Sequence, residues 1–165
     1  MVWGIALVVF LALLQVSLMP QLPLLGVRPD LVLLFALAWG MVRGSPEGAV
    51  LAFGGGLALD ALSAFPLGGH ALALLLTVVS LAWLGASFYR ENLLFPVVGA
   101  FLGTWIYHLL LLLLAQLWGQ TVAWGGTLRL VVLPLSLVEA ALMPLIYGPL
   151  GWLARPRPAR AFSRR

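Results

Sequence analysis

The sequence predicts an all-α, polytopic membrane protein with six transmembrane helices, and three observations predict it. Hydrophobic residues make up 63% of the 165-residue chain and charged residues 8%, against about a quarter in a soluble domain, so too little polar surface exists to cover a water-facing globule. Apolar runs near the roughly 20 residues that cross a bilayer alternate with short clusters of glycine, proline and charge. The nine arginines, the only basic residues besides two histidines, gather in what would be alternate connections and in the last eleven residues.

The first run, residues 2–19, has neither a basic segment before it nor a small-residue cleavage site after it, and it reads as a retained helix. Pro20, Pro23, Gly26 and Pro29 then prevent helix continuation. The second run, residues 31–42, is short for a full crossing. It is either a short helix or part of a re-entrant element in which residues 22–27 also lie at membrane depth. Gly44 and Pro46 punctuate a tight turn into the third run, residues 47–62, and a loop with Pro66, Gly68 and Gly69 leads to the fourth, residues 70–88. The fifth run is 93–118. The sixth, 128–153, contains Pro134, Pro144 and Pro149 and is expected to curve.

Six spans place both termini on one side. Arg43, Arg90 and the five tail arginines then share the cytoplasm and only Arg28 and Arg129 lie outside, seven against two, as the preference for keeping positive charge inside demands. Tyr89, Trp118, Trp124 and Trp152 fall near span ends, where aromatic residues anchor. Residues 1–154 thus form one transmembrane domain. Residues 155–165, with Arg155, Arg157, Arg160, Arg164 and Arg165 among alternating prolines, form a disordered tail expected to lie on anionic lipid. The high pI does not indicate nucleic acid, because no aromatic residues interleave with basic ones on a polar face.

Few polar residues need a reason inside the membrane. Gly48, Ala52, Gly56 and Asp60 follow at steps of four on one face of the third helix, a smooth stripe on which another helix can approach closely. That stripe serves packing within the chain, packing against a partner helix, or the lining of a small-molecule site. Asp30 and Asp60 lie at similar distances, about 20 Å, from the turn at 43–46, toward the outer face. One of the two is expected to pair with Arg28 or to cap a helix start, and Asp30, between Pro29 and an apolar run, has the position of an N-cap. Asp60, at the end of a glycine-rich helix, is also a functional candidate. His108 and Glu139 fall at matching depth in the fifth and sixth spans and are expected to pair, as a structural contact or a proton relay.

No cysteine is present, and the Gly-x-Ser-x-Gly, HExxH and Walker signatures are absent, so catalytic, cofactor and metal residues are assigned to none.

Pro29-Asp30-Leu31, the glycine-rich 48–56 stretch, and the run Gly56-Leu57-Ala58-Leu59-Asp60-Ala61-Leu62-Ser63 followed by Pro66-Leu67-Gly68 resemble the rod shape-determining MreD family. The outline covers the whole chain, and these motifs about forty residues. The resemblance implies a non-enzymatic scaffold of the bacterial cell-elongation complex in the inner membrane, with a bundle similar to the substrate-binding subunits of vitamin transporters. It implies association with the bitopic protein MreC, with the MreB filament, and with the RodA glycosyltransferase and its transpeptidase. Two rival readings remain: a vitamin-transporter substrate subunit, whose Ala-x-x-x-Ala docking surface the first span lacks, and a proton-coupled carrier or enzyme built on Asp30, Asp60, His108 and Glu139. Ligand-dependent stabilisation would favour the former, and turnover abolished by Asp60→Asn the latter.

Overall fold

The computed structural model describes residues 2–18, 28–85 and 94–153, and these are helical apart from short connections, with no strand among them. The helices are α1 (Val2–Leu18), α2 (Leu31–Arg43), α3 (Ser45–Leu62), α4 (Gly69–Gly85), α5 (Leu94–Leu117), α6 (Trp124–Thr127) and α7 (Leu133–Leu153), with a π-helical turn, Leu128–Val132, between the last two. The expected re-entrant segment at 22–27, Tyr89 and Arg90, and the tail at 155–165 lie outside the described residues.

Among the described residues, two stretches are long and apolar enough to cross a membrane, Leu94–Leu117 and Trp124–Trp152; α1, α2 and α4 are shorter apolar helices. The second run forms the α-helix Leu31–Arg43. Its 13 residues rise about 20 Å, well below the hydrocarbon thickness of about 30 Å.

Local sequence explains the boundaries. Gly44, with φ of 105°, is at once the C-cap of α2 and the residue before α3; its N–H returns to the Gly40 carbonyl. A side chain is strained in that conformation, so the tight α2–α3 hairpin depends on glycine there. Pro46 in the first turn of α3 occupies a position whose amide has no helical partner in any case. The π turn lies immediately before Pro134, and the Leu133 amide reaches five residues back to the Leu128 carbonyl. Proline at 134 cannot donate to the preceding turn, and widening the helix there accommodates the ring. The irregular last span thus has a definite place for its irregularity.

The centre of the bundle is α2. Every residue from Val32 to Ala38 is at most 4% exposed, as expected of a helix that is apolar all round. Around it, α1 packs on α3, α3 on α4, α4 on α5 and α5 on α7, and each of these five also packs on α2. The ring stays open between α1 and α7, where Leu7 and Leu11 face Leu145, Pro149 and Leu150 across an apolar cleft of about 340 Å³ floored by Leu31 and Phe35. Outward-facing side chains such as Phe10, Leu94, Leu130 and Leu145 are large and apolar, as a lipid-facing surface requires.

Candidate functional site

A short central helix has an energetic problem at its start. Glu139, which meets the α2 start, is fifteen residues from Trp124 and fourteen from Leu153, so α2 begins beside the middle of the longest helical stretch. The first amides of a helix have no partner within it, and in an apolar interior each unsatisfied one costs several kcal/mol. Side chains from three elements supply acceptors. The Asp30 amide donates to Glu139 Oε1 of α7 at 2.7 Å. The Val32 amide donates to Gln15 Oε1 of α1 at 3.1 Å. The Leu33 amide donates to the Asp30 carboxylate at 2.9 Å, which is the capping role that its place after Pro29 predicts.

The network extends into α5. The Thr104 hydroxyl is hydrogen-bonded to Glu139 Oε2 and also contacts the Ala100 carbonyl at 2.8 Å. Tyr107, on the same helix, is 1% exposed and lies near the Asp30 carboxylate. Glu139 and Thr104 are 0% exposed and Asp30 is 7% exposed, so little water competes for these bonds.

A second helix start is served in the same way. Asp60, near the end of α3, accepts from the amides of Gly68, His70 and Ala71 at 2.9, 2.8 and 3.2 Å, and its Oδ1 lies 2.8 Å from His70 Nδ1. One carboxylate thereby fixes both the 63–68 loop and the first turn of α4. Phe65 completes the corner, edge-on to His70 and to Trp118. At the other end of the bundle, Trp39 donates its indole N–H to Glu47 at 3.0 Å and carries the Arg43 guanidinium over its ring.

One expectation from the sequence is corrected. His108 and Glu139 do not pair: His108 Nδ1 bonds the Thr104 carbonyl at 2.9 Å, whereas Glu139 meets the Thr104 hydroxyl and the Asp30 amide. Thr104, between them, takes one through its backbone and the other through its side chain. Of the two roles open to one of the acids, Asp30 takes the helix cap, and Arg28 forms no ion pair with Asp30 or Asp60 among the described residues. The four residues of the Gly48–Ala52–Gly56–Asp60 stripe are buried inside the chain, which is the intramolecular packing among its three readings. A Cβ on Gly48 would stand 2.5 Å from the Gly40 Cα of α2, and one on Gly56 would overlap the Ala71 backbone of α4. Small residues here bring three backbones of one chain together.

Sequence reading missed Gln15, Thr104, Tyr107 and His70. Gln15 alone carried a signal, being a polar amide within an otherwise apolar helix; the others depended on which way each helix faces. Chemically, the assembly is a set of carboxylate and amide acceptors clamping two helix starts. No group of three His, Cys, Asp or Glu residues placed to hold a metal occurs among the described residues.

A family model described as rod shape-determining protein MreD matches residues 1–155. No curated protein and no solved structure matches the chain.

Proposed function

The chain belongs to the MreD family, a membrane family with a role in rod shape determination, and from that premise we propose that it acts as a non-enzymatic scaffold subunit of the bacterial cell-elongation complex. On this reading it lies in the inner membrane as a multi-pass domain spanning residues 1–154. Six crossings, with both termini cytoplasmic, follow from the seven-to-two arginine distribution, in a bundle similar to vitamin-transporter substrate subunits. Residues 155–165 form a disordered cytoplasmic tail on anionic lipid.

The observation that carries the non-enzymatic reading is the use made of the buried acids. Asp30, Asp60 and Glu139 each accept hydrogen bonds from backbone amides at helix starts, a static arrangement that holds α2 and α4 in place. Such a bundle presents a fixed surface, as a scaffold must.

The partners on this reading are an MreC-like bitopic protein, the RodA glycosyltransferase with its transpeptidase, and the MreB filament at the cytoplasmic face, which together organise peptidoglycan synthesis. Because the glycine stripe is internal, a partner's membrane helix has a better seat at the open seam between α1 and α7. Site-directed cross-linking in cells tests this. Probes at Leu7 and Leu145 should capture the bitopic partner, and probes at Gly48 or Gly56 should not. A purified chain that captured no such partner but bound a vitamin tightly would shift the assignment to the transporter reading.

A further inference from the structure

Glu139 is 0% exposed, and its two oxygens meet different partners. Oε1 accepts the Asp30 amide at 2.7 Å, and Oε2 is hydrogen-bonded to the Thr104 hydroxyl. Thr104 Oγ1 also lies 2.8 Å from the Ala100 carbonyl, the acceptor four residues back that a helical threonine commonly uses. A hydroxyl has one hydrogen to give, and a carbonyl oxygen has none. With the Thr104 hydrogen on the Ala100 carbonyl, the hydrogen between Oγ1 and Oε2 has to come from Glu139.

The surroundings favour the same assignment. Besides its own helix, α7 packs against α2, α5 and the π turn. From α2, Asp30 stands beside Glu139 as a second acid, while Arg43 is in the last turn, at the far end of that helix. From α5 come Tyr107 and His108, and His108 is turned to the Thr104 carbonyl. Arg129 of the π turn is exposed and ten residues before Glu139, about 15 Å along the helix. No ion pair to Glu139 occurs among the described residues. An ionised carboxylate here would be a buried charge with no cation beside it and another acid next to it, which is strongly unfavourable.

We propose that Glu139 is a proton-binding site, a neutral carboxylic acid whose O–H donates to Thr104 Oγ1 while its carbonyl oxygen accepts the Asp30 amide. The hydrogen bonds then run in one direction, from the Asp30 amide to Glu139, from Glu139 to Thr104 and from Thr104 to the Ala100 carbonyl. Closing the junction of α2, α5 and α7 takes one proton into the bundle. Removing that proton turns the Thr104 hydroxyl from Ala100 to Glu139 and puts a negative charge beside Asp30, so the junction responds to protons. The proposal goes beyond the scaffold reading and does not depend on it.

Infrared spectroscopy of the full chain in detergent at neutral pH is the test, because the carbonyl stretch of a protonated carboxyl lies above the amide absorption and that of an ionised one does not. The chain has three glutamates and two aspartates, and carbon-13 in the glutamate carboxyl distinguishes the two types. The expected result is an acid band that shifts down on labelling, is lost in Glu139→Gln and persists in Glu47→Gln and Glu91→Gln. Thr104→Val, which removes the acceptor, should shift the band up, as weaker hydrogen bonding does. If Glu139→Gln does not fold, labelled Glu47→Gln/Glu91→Gln, in which residue 139 is the remaining glutamate, gives the same reading. Absence of an acid band, a band that labelling does not move, or a band retained in Glu139→Gln overturns the proposal. So does a band unshifted in Thr104→Val.

Discussion

The backbone amide of Asp30 donates to the Glu139 carboxylate across 109 residues of sequence, joining the start of the central helix to the last helix of the bundle. The other oxygen of that carboxylate meets the Thr104 hydroxyl, so a single buried side chain ties α2, α5 and α7 together.

Glu139→Ala removes the partner of two buried groups. The Thr104 hydroxyl keeps the Ala100 carbonyl as acceptor, so the Asp30 amide is the donor left unsatisfied, and the variant should lose about 1–3 kcal/mol. Glu139→Gln, which keeps one carbonyl oxygen, should lose less. Thermal unfolding in detergent ranks the three proteins, and equal midpoints for wild type and alanine variant would show that the contact is not maintained.

The corrected pairing can be measured directly. A double-mutant cycle between Thr104→Val and Glu139→Gln should give a coupling of about 1 kcal/mol. The cycle between His108→Ala and Glu139→Gln should be additive within about 0.5 kcal/mol. A larger coupling in the second cycle would restore the direct His108–Glu139 contact.

Asp60 serves three amides and one imidazole, so its loss should exceed that of an ordinary helix cap. Asp60→Ala is expected to cost about 2 kcal/mol or more, and Asp60→Asn an intermediate amount. Hydrogen exchange should accelerate at Gly68, His70 and Ala71 first, while the amides at the start of α2 keep their protection.

Neighbouring glycines on α3 should respond with opposite sign. Gly56→Ala forces a methyl into the Ala71 backbone, which cannot turn aside as a side chain can, and should cost about 1–3 kcal/mol. Gly54 has open space around it, and Gly54→Ala should be neutral or gain up to about 1 kcal/mol from helix propensity. Melting of the isolated chain distinguishes these outcomes from an effect on partner binding.

What the sequence made legible was position along the chain. Hydropathy and glycine–proline punctuation located α2 within one residue of its observed end, and the Pro29-Asp30 step identified the cap. Rotation about each helix axis was not legible. In a soluble helix the polar face reveals orientation, but here nearly every face is apolar, so matching depth alone suggested His108 for Glu139. The missing quantity was the rotation of α5, which turns the Thr104 hydroxyl toward Glu139 and leaves His108 Nδ1 on the Thr104 carbonyl. The Asp60 contacts were hidden for another reason: they require the 63–68 loop to fold back over the end of α3. The glycine stripe was visible as a stripe, but its occupant, the chain's own α2 and α4, was one of three readings.

The Glu139 contact at the head of α2 also sets an order of events during biosynthesis. The ribosome delivers α2 long before α7, and until the C-terminal helix arrives the Asp30 amide lacks its native acceptor. A nascent chain halted before residue 139 therefore lacks the acceptor for that amide, and the contact forms only once α7 is present. Insertion of α7, rather than of any earlier segment, is what supplies the last acceptor at the head of α2.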